Sequence, residues 1–102
     1  MKIVAITACP AGVAHTYMAA KALEKEAQKR GHEIYIEKQG TLGIDDELTE
    51  EQIEEADVVV FAVSVAVEDE YRFDGKKIVD IEIGHVLENP AKVLDEIEAA
   101  MK

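Results

Sequence analysis

The chain has one cysteine among its 102 residues, no apolar run near bilayer length, and half as many basic residues as acidic ones. Each scarcity excludes something. A lone cysteine, Cys9, can form no intramolecular disulfide and build no cysteine-based zinc cluster. It is either a small buried apolar residue or a reactive thiol, and its position must decide. Without roughly 20 consecutive apolar residues the chain has no helix able to span a bilayer. The opening residues, MKIVA, lack a basic segment ahead of a long apolar stretch and do not read as a signal peptide. A cytoplasmic location is the expectation. With 11 Lys and Arg against 22 Asp and Glu, the formal net charge is -11. This argues against nucleic acid, whose phosphates need clustered basic groups, and against broad docking on anionic lipid. A single local electropositive pocket for a phosphoryl group remains compatible with it. No internal repeat, low-complexity tract or Pro/Gly-rich linker divides the chain, so residues 1–102 are expected to form one domain.

What is present is an alternation of short apolar runs with amphipathic stretches. Residues 2–8 (KIVAITA) and 58–63 (VVVFAV) are β-branched runs of the kind buried on both faces of a parallel sheet. Between them, residues 13 or 14 to 30 have strong helix composition, with Met18, Ala22, Leu23 and Ala27 marking an inner face and Gly31 ending the helix. Residues 32–38 (HEIYIEK) alternate and predict a strand with one wetter face. Residues 39–46 predict a loop, and Thr49 with Gln52 a capping box for a short acidic helix over about 50–56. Residues 64–75 read as loop with room for a helical turn, and 76–81 as a weaker strand. Asn89-Pro90 reads as the cap and first position of a last helix with Val93, Leu94 and Ile97 inward. The order β-α-β-α-β-β-α predicts an α/β fold with a parallel sheet, right-handed crossovers and the first and third strands central. In such sheets a ligand site lies beyond the carboxyl ends of the strands, where strand order reverses.

Cys9 occupies that position. The segment Thr7-Ala8-Cys9-Pro10-Ala11-Gly12-Val13-Ala14-His15-Thr16 runs from strand end through a tight turn into a helix start. Its small residues, with Gly12 allowing unusual backbone angles, let successive N–H groups point at one anion, and the helix N-terminus reinforces them. The same donors and dipole favour a thiolate over a thiol. Nucleophile and phosphate cradle are then one feature. His15 and Thr16 lie six and seven residues after Cys9. That is the spacing of the Cys-x5-Arg-Ser/Thr loop of cysteine-dependent phosphatases, with histidine in place of arginine. Arginine clamps phosphoryl oxygens bidentately, whereas histidine offers one weaker, pH-dependent donor. With no second cysteine and no Asp-Pro acid loop, storing and passing on a phosphoryl group is favoured over releasing it to water. A phosphatase-like or arsenate-reductase-like enzyme and a non-catalytic regulatory module are the alternatives. His15 is either a loop donor or a polar residue at the helix start. Thr16 either caps the helix or bonds the loop and thiolate. Tyr17 and Met18 are read as packing residues and His32 as a surface residue. His85 has no metal-like partner. Arg72 and Lys76 are placed in a loop on the sheet edge of Cys9, either reaching the site or, more simply, solvated.

The stretch 7–20 (TACPAGVAHTYMAA) resembles the TACPTG(I/V)AHT(F/Y)MAA segment of the fructose-specific IIB components of the phosphoenolpyruvate-dependent sugar phosphotransferase system, with Ala11 in place of Thr. Residues 36–40 (IEKQG) with Gly43, and 72–76 (RFDGK), are similar to that family's V-E-x-Q-G-S-x-G and R-F-x-G-K. Ser64 and Asp45-Asp46 depart from it. The resemblance spans nearly the whole chain and implies a three-layer, Rossmann- or flavodoxin-like fold with a four-stranded parallel sheet in the order 2-1-3-4. It implies that Cys9 carries the phosphoryl group and that Pro10, Ala11, Gly12, Val13, Ala14, His15 and Thr16 form the phosphate loop. The donor would be a phosphohistidine of a IIA component, and the acceptor a sugar, fructose by default, held by membrane IIC. The domain would work without metal or cofactor, and as a monomer.

Overall fold

In the computed structural model the described residues are 1–9, 13–40 and 43–102, with the side chain of Val13 also left aside. The elements are β1 (Lys2–Ala8), α1 (Val13–Lys29), β2 (Glu33–Gly40), β3 (Gly43–Asp45), α2 (Glu50–Glu55), β4 (Val58–Val63), a 3-10 turn (Glu70–Phe73), β5 (Ile78–Glu82), α3 (Ile83–Glu88) and α4 (Pro90–Ala100). They form one sheet in the order β3-β2-β1-β4-β5, with β2, β1, β4 and β5 parallel. These four strands have the expected order, 2-1-3-4 when numbered without β3. The fifth strand lies where the sequence predicted a loop. β2 runs on through Gln39 and Gly40, and β3 pairs back antiparallel, Gln39 opposite Ile44 and Gly40 opposite Gly43. The two glycines that suggested a loop sit inside a hairpin ladder, and Gly43 supplies the left-sided φ of 126° at the return.

β1 and β4 are buried on both faces because helices cover both. On one face Ile3, Ala5, Val58 and Val60 meet Ala19, Leu23 and Ala27 of α1, Val86 of α3, and Val93, Leu94 and Ile97 of α4. On the other, Val4, Ile6, Val59 and Phe61 meet Leu48, Ile53 of α2 and Phe73 of the 3-10 turn. Phe61 and Phe73 stack edge to face at 5.4 Å. Side chains alternate along a strand, so one apolar run serves two cores.

The capping signals formed as expected. In α2, the Thr49 hydroxyl accepts from Gln52 N–H and the Gln52 side chain accepts from Thr49 N–H. In α4, Asn89 accepts from Lys92 N–H ahead of Pro90. At the end of α1, Gly31 (φ 80°) and His32 donate back to Gln28 and Ala27, satisfying late helical carbonyls. The inner face of α1 differs from expectation. Thr16, Ala19, Ala20, Leu23 and Ala27 are buried, while Met18 is 58% exposed and Tyr17 is also exposed. Many alanines left the phase of the helix ambiguous, and Met18 lies about half a turn from the stripe that packs. The short helix α3 was unassigned from sequence. His32 is not a free surface residue: its Nε2 lies 2.7 Å from Glu98 and its Nδ1 3.1 Å from the Met1 amino group.

Candidate functional site

β1 has β2 on one side and β4 on the other. The chain leaves β1 through α1 on one face and leaves β4 through the 3-10 turn on the opposite face. Their carboxyl ends therefore flank a crevice between diverging connections. Cys9 follows β1 at that crevice. The Ser64 N–H donates to the Ala8 carbonyl at 3.0 Å and keeps the two strand ends together. The Cys9 thiol is free and half-buried. It borders a pocket of about 290 Å³ whose lining includes Gln39, Gly40, Val65, Ala66 and Glu68. None of the described lining residues carries a fixed positive charge; the start of α1, which runs 17 residues from Val13, adds the positive end of a helix dipole on this side of the sheet.

Of the site residues read from sequence, the structure brings Cys9 and His15 together, with Sγ 4.0 Å from Nδ1, the outer limit of a sulfur hydrogen bond. His15 and Ala14 are exposed on the first turn of α1. Val13 opens the helix. Pro10, Ala11 and Gly12 lie outside the described residues. Thr16 is only 2% exposed, and its hydroxyl has no partner among the described residues; the same holds for fully buried Thr7. Thr7 shares the α1-covered face of β1 with Ile3 and Ala5. The two hydroxyls thus belong to the layer between β1 and α1, next to the cysteine segment.

Arg72 and Lys76 do not reach the site. Lys76 Nζ donates to the carbonyls of Glu54 and Ala56 at the end of α2. Arg72 forms a fork with Glu37, Nη1 to Oε1 at 2.8 Å and Nη2 to Oε2 at 2.9 Å. Glu37 is fully buried in the sheet and accepts two more bonds, from Gln39 Nε2 and Leu48 N–H. Burial alone would push its carboxyl up; the bonds from Arg72, Gln39 and Leu48 outweigh that and hold it below the ordinary carboxylate range. The guanidinium, beside Glu37, is raised in turn. Sequence reading missed this cluster. The available signal was a glutamate inside a strand, which if buried needs a cation and further donors. Among the described residues no three His, Cys, Asp or Glu side chains are placed to hold a metal ion, and no helix is long and apolar enough to cross a membrane.

Comparison with known proteins covers nearly the whole chain. The family described as the lactose/cellobiose-specific IIB subunit of the PTS system matches residues 4–96. The PTS system fructose-like EIIB component 2 of Escherichia coli (strain K12) is 45% identical over 98 residues, 96% of this chain and 92% of its own length. The PTS system fructose-specific EIIB'BC component of Vibrio cholerae is 48% identical over 101 residues, 99% of this chain but 17% of that protein. The solution structure of an enzyme IIB subunit of the PTS system from Escherichia coli K12 superposes with a TM-score of 0.89 at 42% identity, covering 95% of this chain and 90% of that one.

Proposed function

The chain belongs to the fructose-like EIIB components of the sugar phosphotransferase system, and from that premise we propose that it is a one-domain phosphocarrier in which Cys9 carries the phosphoryl group. The observation that supports this most is the placement of Cys9. It is a free, half-buried thiol at the carboxyl end of β1, where the sheet's connections diverge, ahead of a long helix and beside an open pocket.

Two steps follow. The Cys9 sulfur attacks the phosphorus of a IIA phosphohistidine in line; the S–P bond forms, the P–N bond breaks, and the imidazole leaves. A sugar hydroxyl then attacks the phosphorus; the O–P bond forms, the S–P bond breaks, and the thiolate is restored. The proton of the sugar hydroxyl is assigned to a group supplied with the sugar by IIC, where that hydroxyl is held. The name of the Vibrio cholerae relative joins B and C parts in one component, which supports IIC as the acceptor side and the inner face of the membrane as the place of work. The phosphate cradle is assigned to Pro10, Ala11, Gly12, Val13, Ala14, His15 and Thr16, with His15 beside the sulfur. The sugar is fructose or a similar hexose.

Intact-mass analysis tests the reading. The chain is incubated with phosphoenolpyruvate, the general relay proteins and a matching IIA, wild type beside Cys9→Ser. One labile phosphoryl group on the wild type, absent from the variant, is expected. No gain in mass with two IIA proteins that are themselves phosphorylated would overturn it.

A further inference from the structure

Val65, Ala66 and Glu68 form one wall of the Cys9 pocket, within residues 65–68, a segment of no regular structure. Such a segment holds a fixed shape only if its backbone groups are bonded. Glu68 is held on both sides of its peptide unit by side chains from elsewhere. Its N–H donates to Gln39 Oε1 at 2.9 Å, and its carbonyl accepts from Gln39 Nε2 at 3.3 Å and from Arg72 Nη2 at 3.1 Å. The next residue, Asp69, has a left-handed φ of 54°, uncommon for a residue with a side chain, and its carbonyl accepts from Arg72 Nε at 2.9 Å. Gln39 is itself fixed, since its Nε2 also donates to Glu37 at 2.7 Å, and Glu37 is gripped by Arg72 and Leu48. The buried carboxylate does not approach the thiol. It orients the amide and guanidinium that hold the wall.

We propose that Gln39 is a positioning residue, which with Glu37 and Arg72 fixes the 65–68 wall and thereby sets how well the phosphohistidine donor docks at Cys9; this rests on the carrier reading above. A partner delivering a phosphoryl group to a half-buried thiol must enter past Val65 and Ala66. A wall free to move presents no single surface to it, and docking weakens. The attack itself does not involve Gln39. A looser wall therefore raises KM for the donor and leaves kcat near its wild-type value.

The test measures initial rates of phosphoryl acceptance against the concentration of phosphorylated IIA, together with amide hydrogen exchange at Glu68. In Gln39→Leu, KM is expected to rise at least fivefold with kcat within twofold, and the Glu68 amide to exchange at least tenfold faster. If Gln39→Leu does not fold, Arg72→Lys keeps the charge opposite Glu37 but loses the second arm on the Glu68 carbonyl, and is read the same way with a smaller rise. Faster exchange with an unchanged KM would overturn the docking role. Unchanged exchange would overturn the positioning role. A wild type that accepts no phosphoryl group from the same donor would overturn the carrier reading and this proposal with it, a result distinct from a competent wild type beside an indifferent variant.

Discussion

Replacing Arg72 by methionine keeps an aliphatic stem but removes the charge opposite Glu37, together with the guanidinium that lies over the Phe73 ring, 5.0 Å from its centroid. Taking one partner from a buried ion pair typically costs about 3–5 kcal/mol, because the other charge stays buried without compensation. Here Gln39 Nε2 and Leu48 N–H still donate to the carboxylate, and Arg72 itself is 15% exposed, so the lower end applies, about 3 kcal/mol. For a domain of this size that lowers Tm by roughly 12–20 °C. Urea unfolding at pH 7 should show the loss as a lower midpoint at unchanged slope. Adding Glu37→Gln removes the stranded charge and keeps an acceptor for Leu48 N–H. The double variant should therefore be more stable than Arg72→Met alone by about 2 kcal/mol. Without Arg72, burial prevails and the Glu37 carboxyl moves up, so the deficit should shrink as the pH is lowered and the carboxyl takes a proton. A loss below about 1 kcal/mol at pH 7, the value of an exposed pair, would refute the reasoning. So would a double variant weaker than the single.

The wild-type pair has its own signature in acid. The folded-state pKa of Glu37 lies below its ordinary value of 4.5, so its contribution is complete above that value and is lost as the pH falls through the depressed one. The stability difference between wild type and Glu37→Gln should be constant from pH 7 to about 5 and narrow below; a gap unchanged down to pH 3 would contradict it. Thr16→Val replaces a buried hydroxyl that has no partner among the described residues by a methyl group of similar size, which is expected to leave stability within about 1 kcal/mol or raise it. If that hydroxyl serves the phosphoryl group, the rate of phosphoryl acceptance in the mass assay falls without loss of fold, and a large drop in stability instead would mean that it has a structural partner.

The parallel sheet was legible because β1 and β4 are unbroken β-branched runs, and a strand can be apolar throughout only when both faces are covered. The caps at Thr49 and Asn89 were legible because each depends on residues three positions apart or fewer. The hairpin strand β3 was not, since Gly40 and Gly43 carry loop chemistry and only the continuation of β2 through Gln39 makes them a ladder. The face of α1 was misjudged at Met18 because alanines fit either side of a helix. The position of Cys9 followed from the strand-to-helix pattern alone. The roles of Glu37 and Arg72 did not, because they are 35 residues apart and pair only through the sheet.

That distance gives the later motifs a physical reading. IEKQG and RFDGK looked like separate, weak signals, one in a strand and one in a loop. In the fold, Glu37 and Gln39 point to the same side of β2, two residues apart as strand alternation requires, and Arg72 comes down from the 3-10 turn to meet both Glu37 and the peptide that Gln39 holds. A buried carboxylate is tolerated only when its charge and lone pairs are all answered. Glutamate in the strand therefore requires the arginine, the glutamine and the Leu48 N–H together, and the loss of any one leaves the others costly. Phe73 anchors the arginine's turn in the core against Phe61. The first motif brings Cys9 to the end of β1; the second and third, joined by this pair, hold Glu68, which lines the same pocket.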